Sequence, residues 1–220
     1  MRIVSAQEME SWLASGQVLE ADARGPKVVA LDDHSFLKIF HTRRHPLLAR
    51  LQPAAKRFAD NAALLRRLGV AAPVVTETFW IDRNRGLSGC LYEPLPGISI
   101  ETLSNQSPER LDELLPRLAS FIRGLHGKRL YFRSLHIGNI LLLPSGNFGL
   151  IDFLDLKQNR FPLSRWHVQR NLRHLSSHLE RRKNMDFPAE ELFRLYHTGS
   201  GQEHEHARVQ DWPVQDQRKP

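Results

Sequence analysis

The chain has 220 residues, 41 % of them hydrophobic and 25 % charged: enough apolar mass for a packed core, and a length that suits one domain or two small lobes. Its single cysteine, Cys90, excludes an intrachain disulfide and a cysteine-rich zinc site and fits a reducing compartment. No apolar run reaches the ~20 residues that span a bilayer. The formal net charge of +7 favours anionic partners, and no nucleic-acid-binding signature accompanies it, so nucleic acid is not expected among them.

In chain order, Ser5-x-x-Glu8 predicts a capping box and a short helix to about Ala14. Glu8 and Glu10 interrupt any secretory h-region there, which predicts a cytoplasmic location. QVLEADA, KVVALDD and HSFLKIF read as strands, separated by turns at Gly25-Pro26 and Asp32-Asp33. In the last of them Phe36, Lys38 and Phe40 fall on one face and Leu37 and Ile39 on the other. Residues 46–68 read as helical, reset at Pro53 and ended by Gly69. PVVTETFWID and LSGCLYEPL then follow as two more strands. The first half therefore predicts a small antiparallel sheet with a helix against it.

Beyond Pro94-x-Pro96-Gly97 helices dominate. Ser107-Pro108-Glu109 predicts a capped helix start, running to about His126. Two short strands flank Pro144-Ser145-Gly146. A long helix over about 162–183 is expected to turn Trp166, Leu172, Leu175 and Leu179 inward, and a shorter helix covers about 188–197. From Gly199 the chain has few apolar residues and no period, which predicts a disordered tail.

The chain runs strand-lysine, helix, strands, hinge, helix, loop-asparagine, strand, aspartate, and phosphoryl transfer demands such parts. A cation must hold the nucleotide phosphates, oxygen ligands must hold a metal, and something must orient the acceptor hydroxyl. FLKIF (36–40), NAALLRRLGVAAPVV (61–75), CLYEPLPGISI (90–100), LHIGNILL (135–142) and GLIDFLD (149–155) carry a resemblance to the protein-kinase-like superfamily. Within it the chain is similar to the small bacterial lipopolysaccharide-core and sugar kinases and the related toluene-tolerance group of phosphotransferases. RNLRHLSSHL (170–179) supports that branch, and the likeness covers roughly residues 18–197.

The resemblance implies an α+β, two-lobed kinase-like fold. Its antiparallel-sheet N-lobe would be residues 1–93, its hinge 94–97, and its mostly helical, shortened C-lobe 98–198, with a tail over 199–220. It implies ATP and Mg²⁺ as cofactors. Lys38 would hold phosphate, with Asn61 at the place of the helix glutamate that pairs with it. The backbone at Tyr92 and Glu93 would hold adenine, and Asn139 and Asp152 would hold metal. The implied acceptor is a sugar hydroxyl of lipopolysaccharide core or a similar glycan; the basic net charge adds an expected peripheral contact with an anionic inner-membrane face.

The departures bear on catalysis. The catalytic loop reads Phe132-Arg133-Ser134, so Ser134 stands where the family has its catalytic aspartate. Asn61 can hydrogen-bond a lysine but cannot neutralise it. The region ADARGPKVVAL holds one glycine, Gly25, and Leu154 replaces the glycine that follows the metal-site Asp-Phe. A general base contributes about 10²–10⁴-fold, while positioning and charge supply most of phosphoryl-transfer catalysis. His136 and Asp155 are the alternative bases beside Ser134. Two readings lead, a weak or specialised phosphotransferase or a pseudokinase scaffold in envelope biosynthesis; a third, a basic nucleic-acid-associated protein, has only the net charge behind it. A zinc reading of His174 and His178, at i, i+4, lacks the accompanying HExxH pattern.

Overall fold

Ser5 opens the first helix: its hydroxyl accepts from the Glu8 N–H at 3.1 Å, and α1 runs over Ala6–Ser15. Glu8 does not return the bond as a capping box would. Its carboxylate is taken by the Arg2 guanidinium at 2.5 and 2.7 Å, and Arg2 also reaches Glu77 at 2.6 Å. In this computed structural model residues 1–41, 46–181 and 187–199 are described, and they form two units, one of Met1–Leu95 and one beginning at Pro96. The sequence's last segment, residues 200–220, lies outside the described residues, and with it the expected tail.

The first unit is a six-stranded sheet. Its strands are β1 (Arg2–Ile3), β2 (Gln17–Asp22), β3 (Gly25–Ala30), β4 (Phe36–Phe40), β5 (Val74–Asp82) and β6 (Leu87–Glu93), in the order β1-β5-β6-β4-β3-β2. The expected antiparallel sheet is thus joined by one parallel pair, β1 on β5, across which Arg2 pairs with Glu77. The alternation in FLKIF sets two faces. Leu37 and Ile39 pack with Val4, Val29 and Phe79 into a core that Met9, Trp12 and Leu13 of α1 cover. Phe40 and Tyr92 meet Phe58, whose ring lies 5.6 and 6.0 Å from theirs, on the helix α3 (Ala54–Arg67). A short helix α2 (Pro46–Leu51) precedes it, with Pro53 between the two. Gly89 is obligatory in β6, because a Cβ there would sit 2.7 Å from the Phe79 ring.

The second unit contains β7 (Ile98–Ser99), α4 (Ile100–Gln106), α5 (Pro108–Gly127), β8 (Leu130–Tyr131), a 3₁₀ turn (Ile137–Asn139), β9 (Ile140–Leu142), β10 (Phe148–Leu150), β11 (Lys157–Gln158), α6 (Arg165–Arg181) and α7 (Ala189–Thr198). Strands β10-β9-β7 form one small sheet and β11-β8 another. Leu111, Leu115, Leu118, Ile122 and Leu125 bury one stripe of α5. The helix starts where the sequence predicts, but Ser107 makes no side-chain cap bond. It is also the C-cap of α4, donating its N–H to Leu103 O, and its backbone angles serve that junction instead.

Trp166 does not face inward. It is 58 % exposed, while Leu172 and Leu175 are buried as expected. At 100° per residue Trp166 lies on the opposite side of α6 from Leu175, nine positions on, so the stripe that buries the leucines cannot include it. Hydrophobicity alone placed it inside; helical phase places it outside.

Candidate active site

Lys38, Asn61, Tyr92 and Glu93 belong to the first unit. Lys38 sits on β4, opposite Cys90 of β6. Its ammonium lies 5.3 Å from the Phe58 ring centroid and 6.0 Å from that of Phe40, over two aromatic faces that favour a cation. Phe58 and Asn61 are three apart on α3, so both project toward the same side of the helix. Burial pushes the Cys90 thiol up to about 12, although the Lys38 charge pulls it the other way. Tyr92 is buried, stacked edge-on with Phe36 and Phe58, and Glu93 ends β6 with an exposed side chain. In the β2–β3 turn Arg24 holds the Asp22 carboxylate at 2.9 Å and keeps it well below the usual carboxylate range. Gly25, at φ +113°, makes the turn with a conformation other residues avoid.

In the second unit the loop between β8 and the 3₁₀ turn carries Ser134. Its hydroxyl donates to Asp155 Oδ1 at 2.6 Å, and Asp155 Oδ2 accepts the Arg133 N–H at 2.7 Å. The Arg133 guanidinium adds an ion pair at 3.7 Å. Asn139, buried, donates its side-chain N–H to Ser134 O at 2.9 Å. Its nitrogen end is thereby fixed toward the loop, so a metal would take its oxygen end. The Ile151 N–H donates to Asn139 O at 3.0 Å, continuing the β9–β10 ladder by one rung and setting Asp152 directly after the residue opposite Asn139.

Asp152 is exposed and has φ +52°, one of three non-glycine residues with positive φ among those described. Aspartate tolerates this left-handed geometry better than most residues. Such strained positions concentrate at functional sites, where they aim a side chain that a regular strand would turn elsewhere. No cluster of three His, Cys, Asp or Glu side chains suited to a metal occurs among the described residues. Mg²⁺ needs none: it keeps several waters and binds through one or two carboxylates plus substrate phosphates. Asn139 and Asp152 fit it on those grounds. His136 lies against Gly138, where a Cβ would come within 3.2 Å of its ring and 2.5 Å of Glu101 Oε2, so a larger residue there would have to displace the Glu101 carboxylate.

Two supporting residues escaped the sequence reading. Asn171 is fully buried on α6, and its side-chain N–H donates to Phe132 O, the carbonyl two residues before Ser134. His126 at the end of α5 is 7 % exposed, bonded through Nδ1 to Tyr196 Oη at 2.7 Å. Burial lowers its pKa to about 4, although the neighbouring Asn171 acts to raise it. The available signal was Asn171 itself: a polar residue one position from Leu172 and four from Leu175, on the buried stripe.

The family described as APH, phosphotransferase enzyme family, matches residues 15–130, more than half of the chain's 220. The match ends short of Ser134 and Asp155. No curated protein sequence matches significantly. Among solved structures, a chain of the yeast RNA Pol II CTD kinase CTDK-1 complex is similar at 14 % identity and a TM-score of 0.40, over 60 % of this chain and 43 % of that one. The chain thus spans less than half the length of that relative.

Proposed function

We infer that this chain, which belongs to the phosphotransferase enzyme family, transfers the γ-phosphoryl group of ATP to a sugar hydroxyl of lipopolysaccharide core or a similar glycan. The observation that carries the reading is the 2.6 Å bond from the Ser134 hydroxyl to Asp155. The loop lacks its aspartate, but its Ser134 is hydrogen-bonded to a carboxylate from the segment after β10, which supports a proton relay there.

In this reading Lys38 holds nucleotide phosphate, and the Asn139 side-chain oxygen and the Asp152 carboxylate hold Mg²⁺. That ion would neutralise charge on the phosphate oxygens. Ser134 Oγ accepts the proton of the acceptor hydroxyl while its own proton passes to Asp155 Oδ1. The acceptor oxygen forms the new P–O bond, the bond to the β-phosphate oxygen breaks, and ADP leaves. Asn139, by holding Ser134 O, fixes the angle at which Ser134 meets the acceptor.

A second reading, a pseudokinase scaffold in envelope biosynthesis, draws on the same carboxylate. Asp155 Oδ2 is committed to Arg133, so bracing the loop is itself a complete role for this side chain. Asn61 in place of a glutamate points the same way. The test compares wild type with Asp155→Asn, measuring ATP affinity and phosphate transfer to lipopolysaccharide-core oligosaccharide. The relay predicts that Asp155→Asn lowers turnover by about 10²–10⁴-fold with ATP affinity retained. Equal turnover in the two removes Asp155 from the chemistry. ATP binding by both, with no transfer by either, establishes the scaffold.

A further inference from the structure

From Leu156 to Leu179 the chain contains no aspartate or glutamate, while Lys157, Arg160, Arg165, Arg170 and Arg173 fall within it. This segment directly follows Asp155, and β11 within it pairs with β8, which leads into the Ser134 loop. It also presents two apolar rings to solvent: Phe161 is 71 % exposed and Trp166 58 %. Among the described residues they are the two phenylalanine or tryptophan side chains left exposed in this way.

Neither ring stands alone. The Arg160 guanidinium lies 5.7 Å from the Phe161 centroid, and that of Arg170 lies 5.0 Å from the Trp166 centroid. His167 meets Trp166 edge-on at 5.0 Å. Trp166, Arg170 and Arg173 recur at i, i+4 and i+7, along one face of α6. Each ring is therefore paired with a cation, in a stretch with no acidic side chain to compensate it.

We propose that the Lys157–Arg173 segment is a peripheral docking surface for an anionic lipid bilayer. The arginines would meet lipid phosphates, while Phe161 and Trp166 enter the headgroup–acyl boundary. Both parts of that complementarity are present. Basic side chains are attracted to anionic headgroups, and amphipathic aromatic rings gain by sitting at the interface, where arginine stems extend to keep their charge in water. A purely electrostatic partner would use the arginines and leave an exposed phenylalanine and tryptophan unexplained. No helix among the described residues is long and apolar enough to cross a membrane, so the contact would lie on the surface. The inference does not depend on the phosphotransfer reading, because it concerns binding without ATP or turnover.

The experiment is co-sedimentation of the full chain with vesicles of phosphatidylcholine alone or mixed with phosphatidylglycerol, at low and physiological salt. Binding is expected only with phosphatidylglycerol, falling as salt rises. Arg170→Gln/Arg173→Gln should lower partitioning by roughly 25-fold, about fivefold for each charge removed near the surface. Phe161→Ala/Trp166→Ala should lower it by at least about tenfold while leaving the salt dependence in place. Circular dichroism and Tm establish that each variant is folded. Absence of sedimentation at low salt would overturn the proposal. So would a Phe161→Ala/Trp166→Ala variant that binds as wild type while a single-stranded oligonucleotide competes for the surface, which would assign the patch to nucleic acid.

Discussion

His126 makes the second unit sensitive to mild acid, and the size of the effect follows from its surroundings. The ring is buried between α5 and α7, with Nδ1 held by Tyr196 and Asn171 beside it. Around it Arg123 is spent on the carbonyls of Leu195 and Tyr196, at 2.6 and 3.1 Å. In the unfolded chain the imidazole titrates at 6.5, and burial brings the folded value to about 4. The unfolded state therefore binds more protons throughout that window, and stability falls as pH falls from 6.5 toward 4. Between pH 7 and pH 5 the linkage amounts to about 2 kcal/mol, rising to about 3 below pH 4. Urea unfolding at pH 7 and pH 5, on wild type and His126→Asn, isolates this group from other carboxylates and histidines that titrate in both proteins. The wild type should lose about 2 kcal/mol more than the variant over that interval. Equal losses would show that the ring takes up its proton without leaving the fold, and would refute the argument from burial.

The other expectations concern the site and its frame. Asp152→Ala should remove the Mg²⁺-dependent part of the thermal shift given by ATP while the fold stays intact; an unchanged shift would exclude this carboxylate from the metal site. Gly97→Ala introduces a Cβ at φ +151° and 2.5 Å from Leu142 O, with backbone rather than a flexible side chain in the way. It should destabilise the second unit by about 2 kcal/mol or more, lowering Tm by several degrees. A Tm equal to wild type would mean that β7 can shift off β9 without cost.

How much of this the sequence revealed depends on the range of the interaction. The strands, the Ser5 helix start and the turn at Gly69 were legible because alternation, capping and positive φ are local. The faces of Lys38 and Phe40 follow from the period of FLKIF, while Asn139 and Asp152 were singled out only by the resemblance that LHIGNILL and GLIDFLD carry. The parallel β1 was not legible: two residues carry no period, and their partners Phe79 and Trp80 lie far along the chain. Ser107 misled because a residue shared by two helices has one set of backbone angles to give. Trp166 misled because its hydrophobicity was read without its phase. Asp155 stood among the candidates, yet its bond to Ser134 spans 21 positions, and the pairing of β11 with β8, on top of β9 with β10, brings the two together.

Cys90 has a use that its chemistry alone would not suggest. It is the one thiol in the chain, fully buried in β6 across from Lys38, and its raised pKa keeps it protonated at neutral pH. An alkylating reagent therefore reaches it only when β6 parts from its neighbours, and then it reacts as an ordinary cysteine. The rate of labelling under native conditions is a clock for that opening, with no engineered probe and no second thiol to confuse it. A nucleotide that engaged Lys38 would slow the clock in proportion to how much it held the strand pair closed, so labelling with and without ATP tests the role proposed for Lys38.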